Sequence, residues 1–293
     1  MIDLPIAAAG LLVGFVVGLT GMGGGALMTP LLVLLFKIQP LAAVSSDIVA
    51  AMVMKPVGGS VHWRRGSVNT GLVKWLIVGS VPSAFLGVVL LQYAGQGQDV
   101  QQYIKVALGI ALLIVALGLV LRPLLIRQRL AGDPAQPIVV KKLPTVLIGV
   151  AGGLVVGITS VGSGSLMIIL LLILYPRLRL AELVGTDLVQ AIPLVASAAI
   201  GHLLFGDFQL ALTASILIGS VPGVFLGAQL SSRASDGFIR PVLIVVLLAS
   251  GLKLLAVSTW VVGAMIVAVL VPFGVVLAIR HVVRIRADSQ IQA

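Results

Sequence analysis

Apolar runs of about 20 residues, long enough for a helix to cross a bilayer, recur along this chain. They lie at roughly 41–62, 71–91, 101–121, 181–204, 208–230, 237–257 and 259–279. Two further apolar stretches, 5–36 and 143–175, are interrupted near their centres by clusters of glycine and hydroxyl residues. The pattern predicts an all-α polytopic membrane protein in which each interrupted stretch forms a broken or re-entrant helical hairpin.

The interruptions are copies of each other. Residues 14–28 (GFVVGLTGMGGGALM) return at 153–167 (GLVVGITSVGSGSLM) with 9 of 15 positions identical. Residues 79–87 (GSVPSAFLG) return at 219–227 (GSVPGVFLG) with 7 of 9 identical. The chain therefore divides into a first half-repeat (1–121), a basic connector (122–142), a second half-repeat (143–257), and a final span with its tail (258–293). Paired segments interrupted by glycine are the sequence mark of a transporter with its site at the repeat interface.

Composition strengthens the membrane assignment. The chain is 59% hydrophobic and 10% charged, with mean hydropathy +1.21, well outside the soluble balance. The net charge of +10 does not indicate nucleic acid, because most cations occupy short loops between spans, where they set orientation. Absence of cysteine excludes disulfides and thiolate chemistry. The opening Met-Ile-Asp-Leu-Pro lacks a basic leader, so the first apolar segment is expected to be retained.

Loop charges choose between parallel and inverted repeats. If segments 5–36 and 143–175 each cross once, the loop cations divide seven to seven, against the positive-inside rule. If both segments enter and return, thirteen loop cations share the cytoplasmic side: Arg64, Arg65, Arg122, Arg127, Arg129, Lys141, Lys142, Arg177, Arg179, Arg233, Arg280, Arg284 and Arg286. Lys37 alone stays outside. Two inverted repeats result, with the N-terminus outside, the C-terminus cytoplasmic, and the hairpin tips meeting near the midplane.

The tips carry the candidate chemistry. Gly21, Gly23, Gly24 and Gly25 permit a tight turn and leave backbone N–H groups uncovered. Half-helices beginning near Ala26 and Ser165 would aim their positive ends at an anion. Thr20, Thr159, Ser160, Ser163 and Ser165 supply hydroxyls, and Gly162 and Gly164 complete the second tip. Close packing by small residues is the competing explanation. The G-x-G-x-x-A match within 21–26 lacks the βαβ context of a dinucleotide site.

Asp47 and Asp187 occupy equivalent places about six residues into their spans, roughly 9 Å deep. Intramembrane carboxylates are functional candidates by default: they could couple a proton or cation, form a polar wall, or hydrogen-bond between helices. Lys55, followed by Pro56 and a predicted kink, either neutralises an anionic substrate or pairs with Asp47. Its repeat equivalent is the apolar Val195. His62 and His202, also equivalent, are candidate gates or interfacial histidines bound to backbone or water. Pro82 and Pro222 read as kinks rather than ligands. No metal ligand set, cofactor motif or catalytic constellation is present.

These residues resemble the sulfite exporter TauE/SafE family of membrane permeases. The likeness rests on Gly18-Leu-Thr-Gly-Met-Gly-Gly-Gly25 with Pro30, the stretch Ala42–Asp47, His62…Gly66-Ser-Val68, Gly79…Pro82…Gly87, and the second copy of each. It covers about residues 10–280. The resemblance implies a multi-pass protein of the bacterial cytoplasmic (inner) membrane that carries sulfite, sulfonates or sulfoacetate-like anions. Ser160 and Ser163 replace Gly21 and Gly24 at the second tip, a departure that bears on substrate.

The resulting expectation is a secondary anion transporter working by alternating access. Its partners would be a small anion, the lipid bilayer and a coupling proton or cation, with a homodimer left open and no nucleic acid. A passive anion channel and a carrier of non-sulfur organic anions are the alternatives. An intramembrane hydrolase is disfavoured because no G-x-S-x-G elbow exists. The chain is not expected to be an enzyme.

Overall fold

The computed structural model describes residues 2–20, 23–64, 66–93, 97–129, 139–230 and 236–268. Its helices in chain order are α1 (Leu4–Thr20), α2 (Gly25–Leu34), α3 (Pro40–Arg64), α4 (Thr70–Tyr93), α5 (Gln98–Arg129), α6 (Lys142–Thr159), α7 (Ser165–Leu174), α8 (Leu180–Phe205), α9 (Leu210–Leu230) and α10 (Asp236–Leu254). A short apolar helix follows at Thr259–Ala268. Among the described residues no strand occurs. Six helices there (α3, α4, α5, α6, α8 and α9) are long and apolar enough to cross a membrane. The chain is an all-α polytopic membrane protein, as its hydropathy pattern predicts. Gly21, Arg65, the side chain of His62, residues 130–138 of the connector, Arg233 and the basic C-terminal tail lie outside the described residues.

Each interrupted stretch is a bent helix pair. α2 starts at Gly25 and α7 at Ser165, within one residue of the predicted half-helix starts. Met167 of α7 packs on Gly152 of α6, where an added Cβ would lie 2.5 Å from the Met167 methyl. Fifteen residues of straight helix would separate these positions by about 22 Å, so the chain doubles back between them. The reversal uses positive φ at Ser160 (61°), Gly162 (119°) and Gly164 (128°), the last two in a region only glycine enters readily. In the first pair, Val13 and Val16 of α1 and Leu27 and Leu31 of α2 line one apolar cleft. The arms are unequal, 17 and 18 residues for α1 and α6 against 10 each for α2 and α7. Indeed α6 is long enough to cross on its own, which a shallow dip would not require.

Packing repeats with the sequence. α1 lies along α9 as α6 lies along α4, and α2 rests on α3 and α10 as α7 rests on α8 and α5. Exchanging each helix for its counterpart five places along returns the same pattern. The counterparts α3 and α8 pack against each other in opposite directions: Ser45 meets His202, Gly59 meets Ile192, and Gly185 meets Ser67. α5 and α10 are also antiparallel, with Gly109 beside Leu255 and Gly251 beside Leu113.

Two glycine seams hold the long hairpin arms. Gly10, Gly14 and Gly18 of α1 face Gly219, Gly223 and Gly227 of α9, while Gly149, Gly153 and Gly157 of α6 face Gly79, Ala84 and Gly87 of α4. A Cβ on Gly14 would lie 2.8 Å from Ser220 Cα, and one on Gly153 the same distance from Ser80 Cα. Lipid supplies no hydrophobic drive between helices, so such close backbone contact provides van der Waals attraction instead. The paired Gly-Ser-Val-Pro motifs thus serve as packing surfaces. α3, α4 and α9 stay helical through Pro56, Pro82 and Pro222.

Candidate functional site

The two hairpin tips touch. A Cβ on Gly23 would lie 3.2 Å from the Ser163 carbonyl carbon, and one on Gly25 only 2.6 Å from that of Ser160. These glycines are therefore needed for approach of the tips, whatever else they do. Gly24 differs, since the nearest atom to an added Cβ is the Met54 methyl at 3.4 Å. Neither half-helix has a side-chain cap at its N-cap, Gly24 for α2 and Gly164 for α7.

Two ionisable side chains bind at this contact, Asp47 (1% exposed) and Lys55 (6%), and a third, Asp187 (0%), acts on Lys55 electrostatically from α8; all three are buried. Asp47 Oδ2 accepts hydrogen bonds from Thr29 Oγ1 (2.7 Å) and Ser160 Oγ (2.8 Å). One carboxylate oxygen from α3 thereby holds both α2 and the opposite hairpin tip. Lys55, two turns further along α3, donates from Nζ to the Ser163 carbonyl at 3.1 Å. It makes no contact ion pair with Asp47, although it lies in the electrostatic field of both Asp47 and Asp187. A buried ammonium from the first half thus reaches the backbone of the second tip.

Asp187 is held differently. Its Oδ1 accepts from Gln190 Nε2 (3.0 Å), and Gln190 Oε1 in turn accepts from Ser80 Oγ (3.2 Å). Its Oδ2 is buried with no hydrogen-bond partner among the described residues. Sequence accounts for the difference: Gly21 stands where the second half has Ser160, and Ile168 stands where the first half has Thr29.

The hydroxyls divide by what they already bind. Thr20 and Thr159 donate to the carbonyls of Val16 (2.8 Å) and Val155 (2.6 Å) one turn back, which commits their hydrogens to their own helices. Ser160 is committed to Asp47. Ser163 and Ser165, each 5% exposed, show no comparable commitment among the described residues. With Lys55 and the two helix N-termini they form the part of the tip suited to negative charge.

His202 is buried inside the bundle. Its Nε2 donates to the Gly157 carbonyl at 2.8 Å, which leaves Nδ1 to accept from Ser45 Oγ at 2.9 Å in the neutral ring. Ser45 Oγ also accepts from the Asp207 N–H at 3.2 Å. The ring therefore ties α8 to α6 and α3.

Thr29, Gln190 and Ser45 were not among the residues singled out from sequence. Gln190 had a signal, since it lies one helical turn from Asp187 on the same face. Thr29 had none beyond polarity in apolar surroundings, and Ser45 only its place within the family-like stretch Ala42–Asp47.

Similarity to other proteins agrees with this architecture. The family described as sulfite exporter TauE/SafE matches residues 6–254. Among curated proteins of Bacillus subtilis (strain 168), the probable membrane transporter protein YjnA is 41% identical over 256 residues, covering 86% of this chain and 100% of that protein. The probable membrane transporter protein YdhB is 24% identical over 246 residues, 83% of this chain and 96% of that protein. No solved structure matches the chain. On the span of the family match and the end-to-end relationship to YjnA, the chain belongs to the sulfite exporter TauE/SafE family of membrane transporters.

Proposed function

We propose that this protein is a secondary carrier of small sulfur-containing anions such as sulfite, sulfonates or sulfoacetate-like compounds. It binds them where the hairpin tips meet and works by alternating access. The supporting observation is the hydrogen bond from the buried Lys55 ammonium to Ser163 at the opposite tip (3.1 Å). A cation held in the interior at two uncapped helix N-termini favours an anion. The family's description, sulfite exporter, supports sulfur-containing cargo.

The halves are read as inverted repeats in the cytoplasmic membrane, N-terminus outside and C-terminus inside. Antiparallel packing of the counterparts α3 and α8, and of α5 and α10, supports that reading, as does the thirteen-to-one charge bias. At 10 residues, α2 and α7 each rise about 15 Å, half the ~30 Å hydrocarbon thickness, which suits tips near the midplane.

Counterflow separates a carrier from a channel. Proteoliposomes loaded with unlabelled sulfonate and diluted into trace labelled sulfonate accumulate label transiently if an alternating-access carrier is present. Label that only equilibrates, at a rate linear in concentration, would establish a passive pore instead.

A further inference from the structure

The repeat-equivalent carboxylates have unequal surroundings, and the inequality assigns them different work. Asp47 Oδ2 is occupied by two hydroxyl donors from two different elements. Asp187 Oδ2 is equally buried and has none among the described residues. A buried acceptor without a donor is unusual and calls for a reason, and an ionised carboxylate in that condition is costly. A proton on Asp187 Oδ2 removes the charge and turns the orphan acceptor into a donor. A proton on Asp47 Oδ2 would instead compete with the Thr29 and Ser160 hydroxyls.

We propose that Asp187 carries a coupling proton that enters the site together with the anion, while Asp47 is a positioning residue that latches the second hairpin tip to α3. This rests on the carrier reading above.

Charge balance gives the coupling its direction. With all three groups ionised, Asp47 (−1), Asp187 (−1) and Lys55 (+1) sum to −1. A monoanion would bring the buried cluster to −2. One proton on Asp187 returns it to −1, so proton and monoanion enter more readily together than apart. The neutral Asp187 then presents an O–H to the incoming anion rather than a repelling oxygen.

Few groups compete for this role. On α3 the charged residues near Asp187 are Lys55 and, through it, Asp47. Arg64 lies at the end of α3 that packs beside Gly185, and it forms no ion pair with Asp187. α4 offers the neutral Ser80 through Gln190. α7 contains no titratable residue, and α6 has only Lys142 at its first position. On α8 itself, Glu182 is bound to Arg179 (2.7 Å) and His202 to Gly157 and Ser45.

The test uses the reconstituted full chain and labelled methanesulfonate, a strong-acid monoanion that carries no proton of its own at neutral pH. Counterflow without a pH gradient reports exchange, and an imposed gradient reports coupling, with a trapped pH dye following proton movement. The wild type is expected to concentrate the anion several-fold on the alkaline side, with one proton per anion. Asp187→Asn is expected to retain counterflow at a reduced rate, while its accumulation ratio falls to about 1 and the proton signal disappears. Asp187→Glu should restore accumulation with a displaced pH profile, which a purely structural role would not produce. Asp47→Asn should slow both assays yet still accumulate. Gradient-driven accumulation by Asp187→Asn, or wild-type exchange that ignores the gradient, would overturn the proton assignment alone. Absence of wild-type counterflow would overturn the carrier reading itself.

Discussion

Asp47 and Ser160 come from opposite halves of the chain, yet Ser160 Oγ donates to Asp47 Oδ2 at 2.8 Å in the interior. Ser160 has φ 61°, a conformation disfavoured for any residue with a Cβ. The bond is formed despite that strain. Replacing Ser160 by alanine removes a hydrogen bond to a charged group, worth about 1.5–3 kcal/mol, and keeps the strain. Ser160→Gly loses the same bond but relieves the backbone. Unfolding in detergent micelles should therefore rank wild type above Ser160→Gly, and Ser160→Gly above Ser160→Ala. Equal stability of wild type and alanine variant would remove the latch.

Neighbouring glycines at the first tip should respond unequally. Gly24 has room for a methyl group and ordinary helical angles (φ −60°, ψ −34°), so Gly24→Ala should fold and transport near wild-type levels. Gly25→Ala would drive a Cβ to 2.6 Å from the Ser160 carbonyl carbon, with overpacking of roughly 1–3 kcal/mol or more and separation of the tips. Comparable thermal stability in the two variants would contradict the tip contact.

The seam between α1 and α9 makes a prediction far from the site. Gly14→Val places branched carbon where Ser220 backbone already lies within 2.8 Å. Gly263, with nothing within 4 Å of an added Cβ, serves as the control. Size-exclusion profiles of the detergent-extracted protein should show loss of the monodisperse peak for Gly14→Val but not for Gly263→Ala. A monodisperse Gly14→Val protein would mean the arm is not packed through its glycines.

His202 acts in this structure as a tie between three helices. His202→Phe keeps the volume but leaves the Gly157 carbonyl and the Ser45 hydroxyl without their partner, about 1–3 kcal/mol for each group so exposed. A midpoint of thermal unfolding unchanged from wild type would show that the ring bears no such structural role.

Much of this architecture was legible in the sequence because hydropathy and duplication are long-range signals that survive averaging. Five of the spans, the hairpin breaks, and half-helix starts within one residue of Gly25 and at Ser165 came from them. The expected span 237–257, by contrast, forms α10 but is not among the six helices long and apolar enough to cross. The finer site did not. Whether Lys55 paired with Asp47 or reached elsewhere depended on the approach of the second tip, and that approach depends on glycine contacts between segments about 140 residues apart. The Gly-Ser-Val-Pro motifs show the same limit: proline is the conspicuous residue, but Gly79, Ser80, Gly219 and Ser220 make the packing contacts. Thr29 was invisible because its counterpart is Ile168, so the repeat itself hid it.

The central claim is that a buried cation at the meeting tips holds the anion. Initial rates of methanesulfonate counterflow, measured against concentration for wild type, Lys55→Arg and Lys55→Met, test it most directly. Loss of a charge-assisted contact predicts half-saturation about 10- to 100-fold higher for Lys55→Met, with Lys55→Arg between the two. An unchanged half-saturation concentration in a folded Lys55→Met protein would contradict the account and move the anion site away from the tips.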